Sequence, residues 1–180
     1  HAEARINRNS LDVAGAVATL KHAQPEAIAF VGTYRQLSAA IQAAKMAGIQ
    51  ARFVTVSFIG TEDFIAAAGP NGDGVYITQV MPSPHDTSLA IVRQYLADVP
   101  PAEVGYTSLE GYINANVLVQ ALQAAGAEPT RSKLANVLKN LNADIAGFPV
   151  HFSPKRHQGS TAVFLTRVEA GKALPVQTMR

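Results

Sequence analysis

Cysteine is absent from the 180 residues, which excludes disulfides, thiolate nucleophiles and cysteine-ligated metals and leaves the redox compartment open. Charge is scarce too: 16% of residues are Asp, Glu, Lys or Arg, with a formal balance of +2. A sequence pI near 9.0 therefore reflects a small cation surplus on a weakly charged surface. It does not reflect the clustered Lys and Arg that displace phosphate counterions, so nucleic acid is not expected as a partner. No apolar run approaches the roughly 20 residues that a membrane-crossing helix needs. What is present is 48% hydrophobic, enough for a core and too apolar for disorder. The chain opens at His1 without Met, and Ala4 to Ile6 reads as mid-strand; a fragment or a processed piece is expected.

Two kinds of segment alternate over the first half. Ser10 or Asn9 caps an expected helix with Leu11, Val13, Ala14, Val17, Ala18 and Leu20 at helical spacing, stopped by Gln24-Pro25. The short apolar run Ala27 to Val31, bounded by Pro25 and Gly32, suits a strand covered on both faces. Gln36 to Ala47 is helical with Gly48 as its stop, and Arg52 to Val56 is the next strand. A third helix, Glu62 to Ala68 capped by Thr61, leads through Gly69 to Gly74 into the strand Val75 to Val80. This rhythm predicts an α/β fold with a mostly parallel sheet, built from crossover units with helices on both faces.

Met81-Pro82-Ser83-Pro84-His85-Asp86 breaks the rhythm, because two prolines remove two ladder donors, and marks an interdomain crossover. Helices follow at Ser88 to Ala97, Ser108 to Ala125 (capped by Thr107 or Ser108) and Thr130 to Leu141. Phe148 to Phe152 and Thr161 to Val168 read as the two arms of a hairpin around a polar turn, closed by Glu169-Ala170-Gly171.

Ligands of open parallel sheets collect where loops leave the carboxyl ends of the strands. Gly32-Thr33-Tyr34-Arg35 and Ser57-Phe58-Ile59-Gly60-Thr61 are two such loops. Two roles are open to Tyr34 and Phe58: walls of a small-ligand site, or plain covers of the sheet end. Glu110, in the expected first turn of the longest helix, suits the helix dipole. The five histidines lack metal-ligand spacing. Gly69 to Gly74 precedes a strand, where a dinucleotide fingerprint must follow one, so it is a turn. Ser83, His85 and Asp86 are too close in sequence for triad geometry by adjacency alone. No cofactor, metal or catalytic residue is expected.

Several strings in order resemble the second half of a type I periplasmic substrate-binding protein of the branched-chain amino acid ABC transporter receptor type. They are Asn9-Ser10-Leu11-Asp12, Phe30-Val31-Gly32-Thr33-Tyr34, Ala43-Ala44-Lys45-Met46-Ala47-Gly48 and Val56-Ser57-Phe58-Ile59-Gly60. Thr78-Gln79-Val80-Met81-Pro82, Ser108-Leu109-Glu110-Gly111-Tyr112, Phe152-Ser153-Pro154 and His157-Gln158-Gly159 continue them over nearly the whole chain. The resemblance implies a two-lobed, extracytoplasmic receptor that closes on a small solute and hands it to an ABC permease in the membrane, without chemistry. A signal and a first lobe are then expected upstream of His1.

On that resemblance, residues 1–86 are the C-terminal-lobe-like α/β unit with a hinge at 81–86. Residues 87–147 are helices that pack on the missing lobe, and 148–180 are a hairpin and tail. Tyr34 matches the family's loop tyrosine and Ser57 its next ligand-facing position, with Thr33 and Phe58 beside them. Tyr106 or Ser108 matches a third contact. Amino acid receptors of the family usually carry Glu where this chain has Ser57. A buried ammonium without a carboxylate is costly, so either Glu62 substitutes or the ligand is an aromatic acid, keto acid or other organic anion. The competing classes are a ligand-sensing ectodomain of a signalling receptor and an α/β enzyme. The stripe Ile113, Val117, Leu118, Ala121 and Leu122 is expected to be left bare without the first lobe, so that the chain self-associates or domain-swaps and binds ligand weakly.

Overall fold

A computed structural model describes residues 1–179. The described residues divide into two compact units: unit 1 comprises residues 1–79 and 164–179, and unit 2 residues 80–163.

Unit 1 is a five-stranded mixed sheet with three helices. Its elements are α1 (Ala14–Ala23), β1 (Ala27–Phe30), α2 (Tyr34–Met46), β2 (Arg52–Val56), α3 (Thr61–Ala68) and β3 (Tyr76–Gln79). Three more helices and the hairpin of β4 (Asn142–Ile145) and β5 (Phe148–His151) belong to unit 2, and the chain returns to unit 1 with β6 (Phe164–Glu169) and β7 (Lys172–Pro175). Strand order is β1-β2-β3-β6-β7. β1, β2 and β3 are parallel, as the crossover helices require, and β6 and β7 are added antiparallel. The α/β class is therefore the expected one, with a sheet that is mixed rather than parallel throughout.

Register places Ile28, Phe53, Ile77 and Val168 on one face of the sheet. There they are buried with Leu37, Ile41 and Ala44 of α2 and Phe64 and Ala68 of α3. A second cluster, Val13, Val17 and Ala40, joins α1 to α2. The opposite face is barely covered along β1, where Ala27 and Ala29 are exposed. The double cover inferred for this strand is thus not met within unit 1, and small alanines make that tolerable.

Several local expectations are corrected. Ala4 to Ile6 is not part of a strand. α1 begins at Ala14, because the Ser10 and Asp12 side chains are occupied two residues ahead: Asp12 N–H donates to Ser10 Oγ (3.0 Å) and Ala14 N–H to Asp12 Oδ1 (3.2 Å). Thr61 does not cap α3. Gly60, at φ 73°, is the N-cap, and buried Thr61 instead accepts from Gln79 Nε2 at 2.8 Å, next to Thr166 Oγ1 at 3.3 Å. Phe148 to Val168 is not a hairpin, since β5 pairs only with β4 and β6 pairs with β3 and β7. Residues 153–156 close a small turn of their own through reciprocal Ser153 and Arg156 backbone bonds.

Unit 2 contains α4 (Ala90–Asp98), α5 (Tyr106–Ala125), α6 (Arg131–Leu138), β4 (Asn142–Ile145) and β5 (Phe148–His151). α5 contacts α4, α6 and β4. The expected N-cap at Thr107 or Ser108 is replaced by Gly105, whose extended backbone precedes a helix two residues longer, so Glu110 falls past its first turn. Thr130 caps α6 as expected, accepting from Lys133 N–H at 3.2 Å. The β4–β5 turn, Ala146-Gly147, has positive φ at both residues (48° and 90°), as a type I′ hairpin requires. In a hairpin of that length Pro149, opposite Asp144, occupies a pair without ladder bonds, so its missing N–H is not needed. Of the stripe expected to be bare, Ile113, Val117 and Ala121 are buried and only Leu118 and Leu122 are exposed, joined by Val119.

Candidate functional site

In unit 1 the loops after β1 and β2 leave from the carboxyl ends of adjacent parallel strands. The first carries Thr33 and Tyr34. Thr33 and Gln36 form a capping box: Gln36 N–H donates to Thr33 Oγ1 (3.5 Å) and Thr33 N–H to Gln36 Oε1 (3.4 Å). Gln36 Nε2 then donates to the Asn7 and Ser10 carbonyls at 3.2 and 2.9 Å. One buried amide thus ties the N-terminal segment to the α2 cap. Gly32 has no room for a side chain, because a Cβ there would lie 2.8 Å from the Phe30 ring. Tyr34 is the first residue of α2 rather than part of the loop; it is half-buried against the core, with the Arg35 guanidinium 5.8 Å from its ring centre. No acid stands in the first turn of α2, so the positive end of its dipole is uncompensated.

The second loop is a 3-10 turn, Ser57–Ile59, closed by Gly60 N–H on the Ser57 carbonyl at 3.1 Å. The turn buries Ile59 and turns Phe58 outward, 75% exposed. Ser57 is half-buried. Glu62 and Asp63 occupy the first turn of α3 and are exposed. Sequence reasoning missed two residues here. Val31, just after β1 (78% exposed), and Val56, the last residue of β2 (39%), leave apolar side chains in the open; both read as core because they continue apolar runs. The signal available was their position as the last residue before each loop.

Tyr106 and Ser108 lie in unit 2, at the start of α5. Tyr106 is buried. The Ser108 hydroxyl is 2.5 Å from the Tyr95 hydroxyl and donates to the Glu103 carbonyl at 2.5 Å. Tyr95 OH also accepts from Gly105 N–H at 2.9 Å. This knot holds the N-terminal turn of α5. Nearby, Tyr112 OH donates to Asp98 Oδ2 at 2.5 Å, which raises the phenol above its ordinary pKa of 10.0, with burial and the carboxylate charge adding to the effect and Asn116 opposing it.

Among the described residues no group of three or more His, Asp or Glu could hold a metal ion. Arg167 crosses the Tyr76 ring at 5.8 Å and pairs with Glu169 at 2.7 Å. A trough of about 950 Å³ lies elsewhere in unit 1, lined by residues 1–6, α1 and β1 among others, and none of the six residues singled out from the sequence lines it.

Comparison with known proteins finds a family model described as "Periplasmic binding protein" matching residues 2–173. Among solved structures, a protein described as a possible leucine/isoleucine/valine-binding protein from Rhodopirellula baltica is 31% identical with a TM-score of 0.86. The match covers 96% of this chain and 49% of that one. A substrate-binding periplasmic protein from Ralstonia solanacearum is 27% identical with a TM-score of 0.81, over 94% and 50% of the two chains. A branched-chain amino acid ABC transporter protein from Thermus thermophilus, solved with bound valine, shares the fold at 18% identity and a TM-score of 0.77, over 97% and 50%. The chain spans about half the length of these solved relatives. No curated protein matches it.

Proposed function

The chain belongs to the periplasmic binding protein family, and from that premise we propose that it is half of an extracytoplasmic solute receptor serving an ABC importer, which binds a small organic acid and performs no chemistry on it. The observation that carries this reading is the exposure of Val31, Val56 and Phe58 at the carboxyl ends of β1 and β2. Apolar side chains left open at a sheet end suit a ligand with an apolar body. Thr33, Tyr34 and Ser57 add hydroxyls beside them. Of the other two expected contacts, Tyr106 is buried within unit 2 and the Ser108 hydroxyl is committed to Tyr95 and Glu103.

The chemistry of the two loops favours an acid without an ammonium group. Residues 31–35 contain no carboxylate, and Ser57 offers a hydroxyl. The nearest acids in sequence, Glu62 and Asp63, belong to α3. An unneutralised ammonium at a half-buried position costs several kcal/mol, whereas a carboxylic or keto acid brings no such penalty.

Calorimetry at the family's full length tests this with three probes: valine, 2-oxoisovalerate and phenylacetate. The expected result is binding of a keto or aromatic acid and at least ~30-fold weaker binding of valine, the order of 2 kcal/mol. Tyr34→Ala should weaken the acid about tenfold or more. Preference for valine would overturn the organic-acid reading, and turnover of any probe would overturn the absence of chemistry.

A further inference from the structure

The connection from α3 into β3 runs Gly69-Pro70-Asn71-Gly72-Asp73-Gly74, and its first four residues form a single 3-10 turn. Asn71 is exposed, and of the eight asparagines in the chain it is the one followed by glycine. An asparagine amide carbon can close a five-membered ring with the backbone nitrogen of the next residue, and a side chain on that residue hinders the closure. Glycine leaves the nitrogen unshielded. Packing fixes this glycine in place: a Cβ on Gly72 would lie 3.1 Å from the Ala68 Cβ and 3.5 Å from the Phe64 ring. The core under α3 thus demands the residue that makes Asn71 reactive.

Lys45, in the last turn of α2, donates from Nζ to the Asn71 carbonyl at 3.0 Å. That oxygen belongs to the same peptide group as the Gly72 nitrogen. When the nitrogen loses its proton the charge spreads onto the oxygen, so a cationic donor there stabilises the attacking anion. The turn itself is lightly held. Asp73 N–H reaches the Pro70 carbonyl at 3.4 Å and Val75 N–H the Gly72 carbonyl at 3.2 Å, and 3-10 turns have poorer hydrogen-bond geometry than α-helices. The local opening that ring closure needs therefore costs little. Asn9 gives the contrast: it is exposed as well, but Ser10 follows it with a side chain, and Ser10 N–H is engaged by the Asn7 carbonyl at 3.0 Å.

We propose that Asn71 is a site of spontaneous covalent modification, in which the Gly72 nitrogen attacks the Asn71 side-chain amide and Lys45 is the promoting cation. The Gly72 nitrogen gives its proton to hydroxide and bonds to Asn71 Cγ. The Cγ–Nδ2 bond then breaks, and the departing nitrogen takes a proton from water and leaves as ammonia, which returns the hydroxide. The cyclic imide takes up one water. Cleavage of its Cγ–N bond gives aspartate, and cleavage of the bond from the Asn71 backbone carbonyl carbon to nitrogen gives isoaspartate. Either product replaces a neutral amide by a carboxylate in the turn that Lys45 contacts, and isoaspartate also lengthens the main chain by one carbon at the entry to β3.

The test incubates this chain in warm, mildly alkaline buffer and follows each asparagine by peptide mapping, with an isoaspartate methyltransferase as the label. Aspartate and isoaspartate should form at residue 71 about tenfold or more faster than at any other asparagine. Lys45→Met should slow the reaction by about threefold or more in the folded chain, leave it unchanged in urea, and be rescued by Lys45→Arg. Lys45 is exposed, so these variants keep the core. Asn71→Gln, which would have to close a six-membered ring, should remove most of the label without touching Lys45. Faster conversion at another asparagine, a Lys45→Met rate equal to the native one in the folded chain, or a label undiminished by Asn71→Gln would overturn the proposal. Any of these would leave the organic-acid reading untouched, since that rests on the loops after β1 and β2.

Discussion

At the scale of single residues, polar side chains in this molecule are spent on backbone more often than on one another. Gln36 holds the Asn7 and Ser10 carbonyls, Ser108 holds Glu103, and Thr55 Oγ1 donates to the Phe30 carbonyl at 2.9 Å. Tyr112 is different, because its partner is the carboxylate of Asp98. Its folded pKa lies above the ordinary 10.0 chiefly because the bound proton is held by that bond. A raised folded pKa means that the stabilisation is complete below pH 10 and is lost as pH rises through the folded value. The stability difference between the native chain and Tyr112→Phe should therefore stay constant from pH 7 to about 9 and shrink above 10. Urea midpoints measured across that range check it, and a difference that persists unchanged to pH 11 would refute the assignment. Residue roles of this kind were only partly legible beforehand. Thr61 is expected as a cap and is not one. Its alternative partner, Gln79, lies 18 residues away, and no local pattern announces a contact at that distance.

At the scale of elements, periodicity located every helix and the parallel strands, and erred mainly at ends. Helix starts moved because caps are decided by one or two hydrogen bonds, each worth about 1 kcal/mol. The α2 cap shows the size of the effect. Thr33→Ala removes the acceptor for Gln36 N–H and loosens the box that orients the Gln36 amide, so a loss of about 1 kcal/mol is expected, with Thr33→Ser recovering most of it. Chemical denaturation with an unchanged m value would register it. The same substitution frees the N-terminal segment from α2, so exchange at Asn7 to Ser10 should rise. The C-terminal strands were misassigned for a different reason. Phe148 to His151 and Phe164 to Glu169 both look like hairpin arms, and only the partners available elsewhere, β4 for one and β3 for the other, separate them. The short turns Ala146-Gly147 and Ala170-Gly171, each with positive φ at both residues, were the local sign that each arm turns back within two residues.

At the scale of the whole molecule, family and α/β class were legible because ordered strings extend over nearly the entire chain, while the open surfaces were legible only in part, Leu118 and Leu122 being exposed as expected and Ile113, Val117 and Ala121 buried. Surface left for a partner looks like core in a composition. Leu118 (45%), Val119 (50%) and Leu122 (36%) show this on α5, three exposed apolar side chains within about one and a half turns. The chain alone is expected to self-associate through them in light scattering, and replacing all three by Ser should shift it to monomer at the same concentration. A native chain that is already monomeric would remove the argument. The two loop positions were legible as well, with Thr33 before α2 and Ser57 and Phe58 in the turn after β2, whereas the exposure of Val31 and Val56 was hidden because an exposed residue at a strand end and a buried one have the same letters.

Unit 1 is also interrupted in time. β3 receives its second neighbour, β6, only after the 84 residues from Val80 to Val163 have been made. At about 5–20 residues per second this takes roughly 4–17 s of synthesis. Throughout that interval a ribosome-bound chain presents the β3 edge, with Ile77 and Gln79 still awaiting Thr166 and Phe164, at a stage when the remainder of the sheet can already fold. An unpaired β3 edge during translation is thus a consequence of strand order, whatever ligand the finished protein binds.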